Sequence, residues 1–465
     1  MKVSMAELWR KFSGDGRVKQ PGQRARPSGQ GRPMRIKYSR RRIFIEFCFN
    51  IFRGHLSLHI HVDSHRVVHR AGPPTLQAGN RSMKHRVQEL TGLRAIAVTM
   101  VVVGHAQRLF AGGYTGLLKP LRLFADGRLG VLVFFVLSGF LITSILQAEL
   151  KSTGSIKLLP FYVKRALRIW PAFYTYLAAV VVLSMIGWID LDRRQVLFAA
   201  LHVWNYSALA GMSADNALHA DGAWYLGHFW TLALEEQFYW LWPPLLFYIW
   251  RRNSQRVLVT LIFAVPLIRV ATYFAAPQLR GQLSMMFHTG IDPILIGCFV
   301  ALNKDRLDAW VRSWPGGPLI PTLMVLVLFV LMPVAESRLG GFWSATYGTT
   351  FEAALVGLVI VVLYYQRDFW CSRLFRTAPF VFVGTISFSL YLWQQLFANV
   401  NLPIAHAFPL GILEALGMAT ASYYFIEAPF LRLKDRVASR LRRLPANDAG
   451  LLTPASDGIG PKALE

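Results

Sequence analysis

The sequence predicts an all-α polytopic membrane protein of about ten transmembrane helices, and three observations carry that expectation. Hydrophobic residues make up 54% of the 465 and charged residues only 16%, against roughly 25% charged in an ordinary globular chain. A soluble chain of this length has too little interior to hide so much apolar side chain, so the excess must face lipid. Apolar segments of spanning length recur along the chain, and the basic residues between them fall mostly on one side.

The apolar segments lie at about 92–110, 129–148, 169–189, 229–249, 257–276, 283–302, 318–335, 346–365, 378–399 and 408–427. With a cytoplasmic N-terminus, the cytoplasmic loops hold 20 Lys and Arg and the opposite loops hold 7. The asymmetry orients the chain with both termini in the cytoplasm, and a bacterial inner membrane is the expected location. Gln195 to Ala210 is apolar enough to suggest an eleventh span. Counting it would turn the Arg251–Arg252 pair outward, so 190–228 reads as an extracytoplasmic excursion, re-entrant or lying on the membrane surface.

Residues 1–82 hold 17 basic and 4 acidic residues, half of the +25 net charge. They show no sustained period, and their one apolar run, Ile43 to Phe52, is too short to span. The stretch reads as a basic, disordered N-terminal extension that touches anionic headgroups, or as a start-site artefact with Met83 as the true start. Its histidines (His55, His59, His61, His65, His69) share no regular element, so no metal site is expected there. A membrane domain then occupies 83–435, and 436–465 is a polar C-terminal tail. Cys48, Cys298 and Cys371 form neither a disulfide framework nor a zinc motif. No phosphate-binding loop or dinucleotide fingerprint occurs. Because half of the positive charge sits in 1–82 and the remainder flanks apolar spans, nucleic acid is not an expected partner.

A charge at mid-bilayer costs about 2.5–3.5 kcal/mol on insertion scales, so ionisable residues inside the spans are functional candidates. They are Arg94, His105, Glu235, Glu236, Arg269, His288, Asp292, Glu352, Glu414 and Glu427. Helical rise puts His105 about 16 Å beyond Arg94 and Glu235 about 9 Å below the opposite surface, at similar depths. They read either as a base with its orienting partner or as polar groups that hold helices together. Arg165 and Arg168 are three apart and share a helix face, which suits phosphate recognition or an ordinary interfacial anchor. Ser138 lacks the flanking glycines of a nucleophile elbow.

Taken in order, six segments resemble the acyltransferase 3 family of integral membrane O-acyltransferases. They are "ELTGLRAIAVTMVVVGHA", "GVLVFFVLSGFLI", "FYVKRALRIWPAF", "HFWTLALEEQFYWLWP", "GTISFSLYLWQQ" and "YYFIEAPF". The first resembles the family's Arg and His separated by ten residues, here Arg94 and His105. The third resembles its Arg-x-x-Arg segment, here Arg165 and Arg168. The fourth places Trp230, Glu235, Gln237, Phe238 and Tyr239. Thr231 stands where the family usually has Ser, and Gln394 where many members have His. Gly290 takes the place of an Arg before Asp292, which leaves the roles of His288 and Asp292 open.

The resemblance implies transfer of an acyl group, most often acetyl, from cytoplasmic acyl-CoA to a carbohydrate or glycolipid hydroxyl at the outer face. Acyl-CoA would be a donor substrate, with no permanently bound cofactor and no metal. His105 would be the general base or a transient acyl carrier, with Glu235 orienting it. Arg94, Arg165, Arg168, Trp230, Gln237 and Tyr239 would bind substrate. A glycan transporter or flippase is the rival reading, since spans with intramembrane charges also suit a substrate path.

Overall fold

The computed structural model describes residues 74–107, 115–116, 119, 121–212, 222–315, 317–398, 402–406, 409–441 and 451–452. The expected basic arm through residue 73, its five histidines and most of the expected polar tail lie outside the described residues. The chain divides into units Met1–Gly72 and Pro73–Glu465, and the description below concerns the second.

Its helices, in chain order, are α1 (Pro74–Ala106), α2 (Gly127–Thr153), α3 (Leu158–Met185), α4 (Phe229–Arg251), α5 (Arg256–Ala275) and α6 (Asp292–Ser313). Then follow α7 (Leu319–Leu339) and α8 (Ala345–Tyr365), each interrupted by a wide π-turn. The last are α9 (Ala378–Thr385), α10 (Ser387–Phe397), α11 (Leu410–Ser422) and α12 (Ala428–Leu441). The only strand pairing among the described residues is a two-residue antiparallel ladder, Ile156 opposite Leu452.

Among the described residues, six helices are long and apolar enough to cross a membrane: Gln88–Ala106 within α1, and α2, α3, α5, α7 and α8. The pair α9 and α10, bent by 72°, makes a seventh if counted as one span. The other three expected segments fall on α4, α6 and α11, which are helical but not apolar enough over a spanning length. For α4 and α6 the reason lies in their polar content, whereas α11 is only 13 residues long. Glu235 and Glu236 interrupt α4, and Lys304, Asp305, Arg306, Asp308 and Arg312 fill the second half of α6. The segment expected from 283 becomes helical throughout only from Asp292, where Pro293 opens the first turn of α6.

The 190–228 segment contains no helix of spanning length among its described residues. It consists of Arg193–Ala200, capped by Asp192 and Gln195 in a reciprocal capping box, the 3-10 turns Trp204–Ala210, and Gly222–Leu226. His202 breaks the first two apart with a φ of 54°. Gln195 to Ala210 is therefore not an eleventh span.

Packing is densest where glycine lets backbones touch. A Cβ on Gly139 would lie 2.0 Å from the Ile294 carbonyl oxygen, and one on Gly297 would lie 2.1 Å from that of Val136. Helices α2 and α6 thus cross through reciprocal glycines, as small residues permit inside membranes. Gly139→Ala is expected to destabilise the fold by about 1–3 kcal/mol, read as a lower melting temperature of the purified protein. An unchanged melt would show that this crossing is not tight.

Two ion pairs, one half-buried and one fully buried, hold distant helices. Arg128 of α2 donates to both oxygens of Glu352 in α8, at 2.6 and 2.9 Å. Arg269 of α5 and Asp292 of α6, both fully buried, pair at 2.6 and 3.2 Å. On the outside, Phe263, Leu267 and Phe274 of α5 remain 63–68% exposed, which is an apolar face only lipid can cover.

Candidate active site

Two cavities open inside the bundle, about 630 Å³ and about 440 Å³, and Val131, Phe135 and Tyr391 line both. They share a wall made by α2 and α10, and each collects a different set of the residues that the sequence marked.

The smaller cavity gathers the cations. Arg94 from α1 and Arg165 and Arg168 from α3 line it, together with Ser138, Glu235 and Tyr239. Glu235 is held from both sides: the Ser138 hydroxyl donates to one oxygen at 2.7 Å and the Tyr239 hydroxyl to the other at 3.1 Å. The Arg165 and Arg94 charges act on the same carboxylate. The Arg165 guanidinium also sits 5.1 Å from the centre of the Tyr239 ring, a cation–π contact. The lining holds three guanidinium groups to one carboxylate, and the Glu427 carboxylate also acts on Arg94 and Arg168. Such a site draws an anion.

The larger cavity is aromatic and carries histidine. His105, in the last turn of α1, lies on its wall with Trp204, Trp224, His228 and Trp230. His105 Nδ1 is 3.0 Å from Gln394 Oε1, and the Trp224 ring meets the imidazole edge-on at 5.8 Å. Trp230 packs edge-on against Phe135 at 5.8 Å, in the shared wall. His228 is 3% exposed, and neither of its ring nitrogens has a hydrogen-bond partner among the described residues. Below it, the Tyr391 hydroxyl lies 2.7 Å from the Thr231 hydroxyl and donates to the His228 carbonyl at 3.1 Å.

The structure thus brings together Arg94, Arg165, Arg168, Glu235 and Tyr239 in one cavity, and His105 and Trp230 in the other. The carboxylate expected to orient His105 lines the cationic side, and Gln394 holds the imidazole instead. Depth along a helix follows from residue count, but the direction a side chain faces around the bundle does not. Gln237 lines neither cavity. Its amide is spent on Asn205, at 3.0 and 2.9 Å, and on the His202 carbonyl at 3.0 Å, which ties the 190–228 segment to α4.

Most of the remaining ionisable residues are accounted for by neighbours, but Glu236 is buried with its Oε1 lacking a hydrogen-bond partner among the described residues. Glu352 pairs with Arg128, Glu414 with His406, and Glu427 accepts from the Ser389 hydroxyl at 3.0 Å. His288 stacks on Tyr206 and meets its hydroxyl at 3.2 Å. The guanidinium that pairs with Asp292 comes from Arg269 on the preceding helix. Sequence reasoning passed over His228 and Tyr391. His228 stands one residue outside the apolar helix it precedes, and nothing in hydropathy marks it. Among the described residues, no three His, Cys, Asp or Glu side chains group as metal ligands.

Apolar spans around a buried, polar, two-chambered site define an integral membrane protein with its chemistry inside the helix bundle. An acyltransferase domain model, that of the acyltransferase 3 family, matches residues 87–426, which take in both cavities. The chain belongs to the acyltransferase 3 family. It is 28% identical over 364 residues to the O-acetyltransferase OatA of Staphylococcus aureus strain NCTC 8325 / PS 47, covering 73% of this chain and 56% of that protein. It is 27% identical over 365 residues to a putative O-acetyltransferase of Staphylococcus aureus strain COL, with the same coverage. The chain spans a little over half the length of these curated relatives. No solved structure matches it.

Proposed function

We propose that the chain is a membrane O-acyltransferase that moves an acyl group, acetyl first among candidates, from cytoplasmic acyl-CoA to a carbohydrate hydroxyl at the outer face. The observation that carries this reading is the shared wall. A cavity lined by three arginines adjoins one lined by two histidines and three tryptophans, with only Val131, Phe135 and Tyr391 common to both. The relatives, one an O-acetyltransferase and one a putative O-acetyltransferase, favour acetyl.

In this reading the coenzyme's phosphates lie toward Arg165 and Arg168, near the loop that the charge asymmetry assigns to the cytoplasm. Arg94 and Tyr239 extend the same lining toward the wall. The acceptor enters the larger cavity from the side of the 190–228 segment, which we place outside the cell. Its ring stacks on Trp224 and Trp230, and its hydroxyls supply the partners that His228 lacks. His105 takes the proton of the reacting hydroxyl as that oxygen attacks the thioester carbonyl. The C–S bond breaks, the sulfur leaves as thiolate, and the imidazolium returns its proton to it. The products are the O-acyl sugar and free CoA-SH.

Removing the phosphate-binding charges tests the donor side. Arg165→Ala and Arg168→Ala are each expected to raise the KM for acetyl-CoA about tenfold, the worth of one lost charge-assisted hydrogen bond. Mass spectrometry of O-acetyl groups on surface glycans of a complemented deletion strain reads the product directly. If both variants together left O-acetylation and the acetyl-CoA dependence unchanged, the donor assignment would be wrong.

A further inference from the structure

His105 stands at the end of a directional chain of hydrogen bonds that starts on a backbone carbonyl. Gln395 Nε2 donates to the Trp224 carbonyl at 2.8 Å, Gln394 Nε2 donates to Gln395 Oε1 at 3.0 Å, and Gln394 Oε1 lies 3.0 Å from His105 Nδ1. A carbonyl oxygen only accepts, so Gln395 must present its NH₂ to Trp224. Its own oxygen then faces Gln394, which must present its NH₂ in turn. That leaves the Gln394 oxygen against the imidazole. Two acceptors cannot share a hydrogen bond, so Nδ1 must carry the proton.

Flipping either amide would set oxygen against oxygen. Gln394 and Gln395 are 1% and 2% exposed. A satisfied chain of this kind, buried in low dielectric, reinforces its own direction. The Trp224 residue that anchors the chain by its carbonyl also walls the imidazole with its ring. Anchor and target are therefore fixed to one another.

We infer that Gln394 is a positioning residue that holds His105 in the Nδ1–H tautomer, directed by Gln395 and the Trp224 carbonyl, so that Nε2 carries the lone pair. The catalytic consequence rests on His105 being the base proposed above: Nε2 is then the nitrogen that takes the acceptor's proton. A neutral amide suits this task. It fixes the proton on one nitrogen without the negative charge of a carboxylate, which would favour the charged, spent form of the ring.

The test is nitrogen-15 solid-state NMR of the full chain, labelled at histidine and reconstituted in lipid bilayers at neutral pH. The His105 resonances are identified by their loss in His105→Gln. We expect a protonated Nδ1 and an unprotonated Nε2 in the native chain. Gln394→Leu should release the ring into a mixture of tautomers and lower acyl transfer about tenfold, the rate equivalent of one hydrogen bond. Gln394→Glu, whose carboxylate still accepts from the ring but no longer donates to Gln395, should keep a proton on Nδ1. Gln395→Leu, which does not touch His105, should shift the population in the same direction as Gln394→Leu and covers the case in which that variant misfolds. A proton on Nε2 in the native chain, or an unmoved tautomer in both leucine variants, would overturn the inference. Full acyl transfer by His105→Ala with the Nδ1–H tautomer intact would instead remove the base proposed above and leave the relay standing.

Discussion

His105→Ala is expected to abolish acyl transfer while the chain still inserts in the membrane. A positioned general base contributes about 10²–10⁴-fold, and here the nucleophile is a sugar hydroxyl that is scarcely ionised without help. The substitution should leave the fold in place, because His105 sits in the last turn of α1 and lines a cavity instead of filling the core. Two measurements separate the outcomes: the amount of protein in the membrane fraction, and the O-acetyl content of surface glycans. Wild-type O-acetylation with full insertion would defeat the assignment. Were the chain a transporter, the same variant would block export and leave acetyl-CoA consumption unchanged. A double variant with His228→Ala tests the other histidine. It should fall no further in rate than His105→Ala if His228 binds the acceptor without taking a proton.

Asp292→Ala is expected to cost about 3–5 kcal/mol of stability, the penalty for stranding a buried charge. Arg269 is fully buried and spends its guanidinium on Asp292, the Thr289, Ala345 and Thr346 carbonyls, and the Thr350 hydroxyl, at 2.6 to 3.2 Å. The Thr350 hydroxyl donates in turn to Asp292 at 2.6 Å. The carbonyls of Ala345 and Thr346 are offered because the chain opens into the π-turn Ser344–Gly348, where Thr346 leaves helical geometry. Loss of the carboxylate leaves a cation among carbonyls with nowhere to go. Asp292→Ala should therefore accumulate poorly and melt early. Replacing both partners, Arg269→Met with Asp292→Leu, removes the stranded charge and should recover much of the loss. Recovered activity in that pair would establish that Asp292 holds α5, α6 and α8 together and takes no part in the chemistry. A folded, inactive double variant would reverse that conclusion.

Hydropathy and charge are local properties, and they placed the helices well. Each segment expected to cross the membrane coincides in large part with a helix, and Gln195 to Ala210 was rightly refused as a span. The same signals blurred at α4, where Glu235 and Glu236 turn inward, at α6, whose second half is charged, and at α11, which is short. The resemblance in six ordered segments placed the Arg94, His105, Arg165, Arg168 and Glu235 positions, and four of these line one cavity.

What the sequence determined by itself is the class: an α-helical membrane protein of the acyltransferase 3 family, with buried charges at defined depths. What only the tertiary structure decided is which of those groups face each other. Arg128 meets Glu352 across 224 residues of chain, and His105 meets Gln394 across 289. Rise per residue fixes how deep a side chain lies, but helix rotation and crossing fix where it points. Those are set by contacts such as Gly139 against Ile294, which no linear spacing encodes.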